Sequence, residues 1–172
     1  MLLGERVALE PLAGGDHPLL RRWLADRALR RYAGRWRPSS RWGGGCDLSR
    51  DEAFLIVLRA GERPIGFCGL FGISSDEGTA ELGILIGEQD CWGQGYGPEA
   101  LRLLLFRAYN ELGLGQVSLC VHATNERAIR AYAKVGFAIE RRLHLGRWLF
   151  GRGVEIIVMT SVAPAGGREV RR

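Results

Sequence analysis

The sequence predicts one α/β or α+β domain with a mixed central sheet of about six to seven strands flanked by helices. Three observations lead there. The elements run strand, helices, several strands, helix, strand, helix and two strands. The chain has 47% hydrophobic and 25% charged residues, the ordinary range for a soluble globular protein. Its 172 residues suit one core, placed here at residues 1–162, with "APAGGREVRR" from Ala163 onward as a loose C-terminal tail.

Each element has its own signal. Arg6 to Glu10 alternates as a short strand, and Leu19, Leu20, Trp23 and Leu24 then fall at helical spacing after Asp16, a cap candidate. The stretch "AGRWRPSSRWGGGCDLSR" breaks the pattern with Gly and Pro and reads as a loop. "AFLIVLRAGERPIGFCGLFGIS" reads as two strands joined by a turn at Ala60 to Arg63, and "GTAELGILIG" as a further strand. A helix is expected from Pro98 to Leu112, where Leu101, Leu104, Leu105 and Ala108 share one face and Gly113 follows. "QVSLCVHA" is a strand, and "NERAIRAYAKV" a helix ended by Gly136. "FAIERRLHLGRWLF" with "GVEIIVMTSV" forms a last hairpin.

Composition excludes several classes. No run of about 18 apolar residues occurs, and "MLLGERVALEPL" has no signal-peptide order, so no membrane partner and a cytoplasmic location are expected. Cys46, Cys68, Cys91 and Cys120 include no CxxC pair and read as reduced, small apolar residues. With His17, His122 and His144 dispersed, no metal site is expected. The net charge is +5, carried almost wholly by arginine, with Lys134 the single lysine. Arg27 to Trp42 concentrates basic and aromatic residues; a solvated helix and loop accounts for it, and phosphate or nucleic-acid contact is the alternative.

Between the strand "GTAELGILIG" and the next helix lies "CWGQGYGPEAL", with Gly93, Gly95 and Gly97 at every second position. A helix N-terminus presents unpaired N–H groups and a partial positive charge, which suit an anion. Glycines let backbone close around a phosphate, and Pro98 fits the first helical turn, where its missing N–H is not needed. The segment matches neither the Walker loop, which needs Gly-Lys-Ser/Thr, nor GxGxxG; a glycine-rich turn without a ligand stays open from this segment alone.

"WGQGYGPEAL" followed by "NERAIRAYAKVGF" resembles the GNAT superfamily of N-acetyltransferases, with a Q/R-x-x-G-x-G/A loop and an N-x-x-A-x-x-x-Y-x-K-x-G-F segment. The second motif matches at Asn125, Ala128, Tyr132, Lys134, Gly136 and Phe137. The resemblance covers roughly Arg6 to Val162, and the tryptophan before the glycines looks most like the RimJ/RimL-like branch. Trp92 stands where Gln or Arg is usual, which removes a side chain that could assist the diphosphate.

The resemblance implies a GNAT fold and acetyl-coenzyme A as co-substrate. Its diphosphate would lie on the loop formed by Trp92, Gly93, Gln94, Gly95, Tyr96 and Gly97, and its pantetheine arm on backbone groups of Leu85 and Ile86. Asn125 would contact the cofactor as well as cap its helix. The strands on either side of the loop-helix would diverge, leaving room for thioester and amine. Tyr132 would donate a proton to the departing thiolate, against the alternative of a packing tyrosine.

Two carboxylates are candidates for the amine. Glu81 falls on the face of its strand opposite Ala80, Leu82, Ile84 and Ile86, and is either a base or a solvated residue. Glu155 sits among apolar residues and either contacts substrate or forms an ion pair with an arginine. The implied reaction is direct attack in a ternary complex; Cys91 has no histidine beside it in sequence and makes a poor nucleophile. The acceptor classes are a protein N-terminal amine, an aminoglycoside or a polyamine, and homodimer formation is left open. Net positive charge disfavours polycations, while the local acids Asp76, Glu77 and Glu81 oppose that bias. A non-catalytic acyl-coenzyme A sensor and an RNA- or ribosome-binding adaptor are the rival readings.

Overall fold

The computed structural model describes residues 1–29, 39–40, 43–45, 51–145 and 153–164. Most of the arginine-rich stretch from Arg30 onward, Cys46, residues 146–152 and those from Ala165 onward lie outside the described residues.

In chain order the strands are β1 (Leu2–Leu3), β2 (Val7–Pro11), β3 (Ser39–Ser40), β4 (Gly43–Gly45), β5 (Glu52–Leu58), β6 (Arg63–Ser74), β7 (Thr79–Ile86), β8 (Gln116–His122), β9 (Ala138–Leu145) and β10 (Val154–Val162). The helices described over their whole span are α1 (His17–Ala25), α2 (Tyr96–Phe106), continued by a π-helical turn at Arg107–Glu111, and α3 (Glu126–Ala133). Eight strands form one mixed sheet in the order β1-β2-β5-β6-β7-β8-β10-β9, and β3 with β4 forms a separate ribbon. The sheet exceeds the expected strand number because Leu2–Leu3 pairs with Leu9 and Ala8, a contact too short to leave a periodic signal.

Every pairing in the large sheet is antiparallel except β7 with β8. Parallel neighbours need a crossover, and α2 supplies it. Apolar side chains pack on both faces of the sheet. On one face Leu101, Leu104 and Leu105 of α2, Ala108 of its π-helical continuation and Tyr132 of α3 pack over Ile65, Leu70, Leu82, Leu119, Ile157 and Met159. On the other, Trp23 of α1 joins Leu55, Val57 and Phe67. Fully burying each such leucine is worth about 1.5–3 kcal/mol, so α2 is held by its apolar stripe rather than by propensity.

Two boundaries differ from expectation for local reasons. Asp16 occupies the N-cap position of α1 but makes no side-chain capping bond; its carboxylate accepts from the Ala13 N–H at 2.8 Å and closes the preceding 3₁₀ turn. Helix α2 begins at Tyr96, two residues before Pro98, because Gly95 at φ +88° turns the chain into it.

Candidate active site

The parallel pair β7–β8 is paired only at Thr79↔Gln116, Ala80↔Val117 and Glu81↔Ser118. Beyond that point β7 follows β6 as far as Ile86↔Gly66, while β8 follows β10 along its whole length. Held by different neighbours, the two strands separate, and the glycine loop stands at the end of β7 beside this opening. Asn125 stands at the end of β8, where its side-chain oxygen accepts from the Ala128 N–H at 3.3 Å and caps α3.

Strand alternation distributes the candidate residues. Gly87 N–H bonds Ile65 C=O at 2.8 Å, so by the two-residue period of an antiparallel ladder Leu85, like Gly87, turns its backbone groups toward β6. Ile84 and Ile86 turn theirs toward the opening. The Ile86 carbonyl there accepts from Trp92 Nε1 at 2.9 Å. Of the two expected backbone positions, Ile86 faces the opening, with its carbonyl already taking one donor, and Leu85 faces β6. Trp92 carries the Arg127 guanidinium 3.7 Å over its ring, so a cation from α3 stands where the sequence has none at position 92.

In the loop, Gly93 and Gly95 have φ of +76° and +88°, conformations that a side chain would strain. Gly97 is not in that region; a Cβ there would meet only Ile86 Cγ1, at 3.8 Å. Gly95 differs again, since its Cβ would lie 3.0 Å from Arg6 Nη2. Arg6 is a residue the sequence pattern did not single out. Its Nη1 donates to Gln94 C=O at 2.9 Å, its Nε to Glu99 Oε2 at 3.1 Å, and its guanidinium stands 5.0 Å from the Tyr96 ring centre. Arg6 and Val7 N–H groups also donate to Glu99 Oε1, at 2.8 and 3.1 Å. Burial opposes charge on Glu99, but those donors and the guanidinium outweigh it and hold its pKa below the ordinary carboxylate value.

Tyr132 and Glu81 lie on opposite faces of the sheet, one on either side of the opening. Tyr132 is 8% exposed, packs edge-on against Phe137 at 5.9 Å, and burial pushes its phenol up to about 12. Glu81 is exposed by surface area, yet neighbouring protein withdraws enough water from its carboxyl group to raise its pKa. In line with it across the sheet stand Ser118 and Thr160, and the Thr160 hydroxyl donates to Glu140. Cys120 lies two residues past Ser118; burial pushes its thiol up to about 11, with the Glu81 carboxylate next in effect. Burial likewise raises the Cys91 thiol. A protonated thiol is a poor nucleophile.

Glu155 is separated from Glu81. Alternation along β10 puts it with Ile157 and Met159 on the Tyr132 face, and its carboxylate pairs with Arg142 Nη1 at 3.1 Å. Of the two roles the sequence left open, an ion pair with an arginine is the one seen. Among the described residues no group of His, Cys, Asp and Glu is placed to hold a metal ion. No helix among them is long and apolar enough to cross a membrane.

Residues 6–138 match the family described as the Acetyltransferase (GNAT) domain, which is most of the chain and includes the loop, the opening and α3. The chain belongs to the GNAT acetyltransferase family. An uncharacterized N-acetyltransferase, p20, of Bacillus licheniformis is 26% identical over 117 residues, 66% of this chain and 65% of that one. The match thus spans slightly under two thirds of that relative's length. Among solved structures, the spermidine N-acetyltransferase from Vibrio cholerae in complex with CoA and spermine superposes with a TM-score of 0.76. It is 20% identical and covers 92% of this chain and 96% of its own. A further structure, described as an acetyltransferase, has a TM-score of 0.73 at 25% identity and covers 93% and 84%. At 20% identity the former likeness shows the GNAT fold.

Proposed function

We propose that this GNAT protein transfers acetyl from acetyl-coenzyme A to a primary amine by direct attack in a ternary complex. The observation that carries the reading is the opening between β7 and β8, with the loop at one end and Tyr132 and Glu81 on its two sides. An acceptor on the Glu81 side meets a thioester threaded from the loop side. The amides of Gly93 to Gly97 and the N-terminus of α2 hold the diphosphate. Backbone groups of Ile84 and Ile86 pair with the pantetheine amides as an added strand would. Asn125 spends its side-chain oxygen on the cap and offers its Nδ2 to the cofactor. Tyr132 hydrogen-bonds the sulfur as it leaves. Glu155, paired with Arg142 on the other face from Glu81, takes no part in acceptor binding.

At pH 7 an amine of pKa about 10.4 is neutral roughly once in 2,500 molecules, about 4.6 kcal/mol of preparation. Glu81, its pKa raised by burial, is the base for that step, directly or through a water. Holding both reactants in line contributes more, about 7–11 kcal/mol. In the parent, turnover should level off above the pKa of Glu81, because carboxylate with ammonium is then the working state. Glu81→Gln must use free amine, so its rate should climb about tenfold per pH unit toward the amine's pKa near 10. The deficit is therefore largest below neutral pH and closes in alkali; two profiles of the same shape would exclude the base assignment.

The acceptor we favour is a polyamine. Its support is the spermidine N-acetyltransferase likeness and the carboxylates Glu81 and Glu140 near Cys120, with the Arg141 guanidinium as the opposing charge there. The RimJ/RimL-like reading favours a protein N-terminal amine instead, on the strength of the "WGQGYGPEAL" loop. Thiol release measured with spermidine, spermine, an aminoglycoside and a panel of free N-terminal peptides separates them. Turnover on peptides alone would contradict the polyamine assignment.

A further inference from the structure

We propose that Arg6 is the positioning residue of the phosphate loop: its guanidinium fixes the Gln94–Gly95 peptide so that the Gly95 N–H faces the diphosphate. The proposal rests on the loop being the diphosphate site.

The C=O of Gln94 and the N–H of Gly95 belong to one trans peptide and point in opposite directions. Arg6 Nη1 holds that carbonyl at 2.9 Å, so the Gly95 N–H is turned away from Arg6. Gly95 lies at φ +88°, and its missing Cβ would stand 3.0 Å from Arg6 Nη2. The glycine at this position thus accommodates the arginine and the left-handed turn, rather than the phosphate.

The clamp is anchored at both ends. Arg6 immediately precedes β2, and its carbonyl accepts from Arg59 N–H at 2.9 Å, which ties it to the sheet. Glu99, in the first turn of α2, takes the Arg6 Nε, the Arg6 N–H and the Val7 N–H. The guanidinium also faces the Tyr96 ring. One planar fork therefore touches the loop on both sides of Gly95 and joins it to the sheet. Gly93 and Gly95, both at positive φ, give the free loop wide conformational freedom, and donors aimed in advance bind an anion better than donors that must be ordered first. Arginine suits the task because lysine presents a single point of charge without the fork.

The test compares parent, Arg6→Gln and Arg6→Lys by calorimetric titration with CoA and with pantetheine, the same arm without diphosphate or nucleotide. Thermal midpoints are measured alongside. Arg6→Gln should weaken CoA by roughly 10- to 100-fold and leave pantetheine unchanged, with Arg6→Lys close to Arg6→Gln. With inorganic pyrophosphate as probe, the Gly95 amide resonance should shift in the parent and stay still in Arg6→Gln. Equal losses for CoA and pantetheine would mark general loosening and overturn the proposal, as would full CoA affinity in Arg6→Gln or in Arg6→Lys. A parent that binds neither CoA nor pyrophosphate would overturn the loop assignment itself, before any variant is compared.

Discussion

Gly97→Val should abolish acetyl-coenzyme A binding, by about 100-fold or more, while the protein stays folded. Gly97 lies in the first turn of α2 outside the left-handed region, so valine meets no backbone strain. A Cβ there would have Ile86 Cγ1 at 3.8 Å as its only neighbour within 4 Å, an ordinary contact. The added methyls enter the space between the end of β7 and the N-terminus of α2, where diphosphate and pantetheine are proposed to meet. Gly95 would be a poorer probe, since its left-handed φ and the nearby Arg6 confound lost binding with lost structure. Calorimetric titration with CoA, checked against the thermal midpoint, reads the result. A folded Gly97→Val protein with parental affinity would remove the cofactor from this loop.

Tyr132→Phe should lower turnover by roughly 10- to 100-fold without changing cofactor affinity. The ring stays where it is, edge-on to Phe137 under the apolar cover of α3, and only the hydroxyl is deleted. Burial pushes that phenol up to about 12, whereas a free thiol ionises near 8.5. Full proton transfer to a thiolate of that basicity is well uphill, so the role proposed for Tyr132 is chiefly to donate a hydrogen bond as sulfur charge develops. This places the effect at the lower end of the range for a general acid. Single-turnover rates, in which chemistry is observed directly, are the appropriate readout. An unchanged rate on the true acceptor would return Tyr132 to a packing role.

Local grammar was legible in the sequence, and contacts made across the sheet were not. Asn125, Tyr132 and Gly136 fall within one helix and its two ends, so their spacing alone predicts a cap, a buried ring and a stop. Glu81 could be read from the alternation of β7. That Leu85 turns its backbone groups toward β6 could not, because which backbone groups face the opening depends on register with β6 and slips with a single residue. Arg6 and Glu99 are 93 residues apart, and neither lies in a periodic pattern that points to the other. Arg127 over Trp92 also escapes notice, and the one signal for it in the sequence is that "WGQGYG" lacks its usual polar residue. Glu155 looked buried in an apolar run, but its place at the start of β10 leaves it half-exposed beside Arg142.

The most direct test of the account mixes acetyl-coenzyme A, spermidine and the parent protein, and follows free thiol and acetylated amine in the same reaction. The two products should appear one for one, neither should form without protein, and initial rates at varied concentrations of both substrates should give intersecting double-reciprocal lines. Tight CoA binding with no thiol released on spermidine or any other amine would contradict it and leave an acyl-coenzyme A sensor. Parallel lines would contradict direct attack.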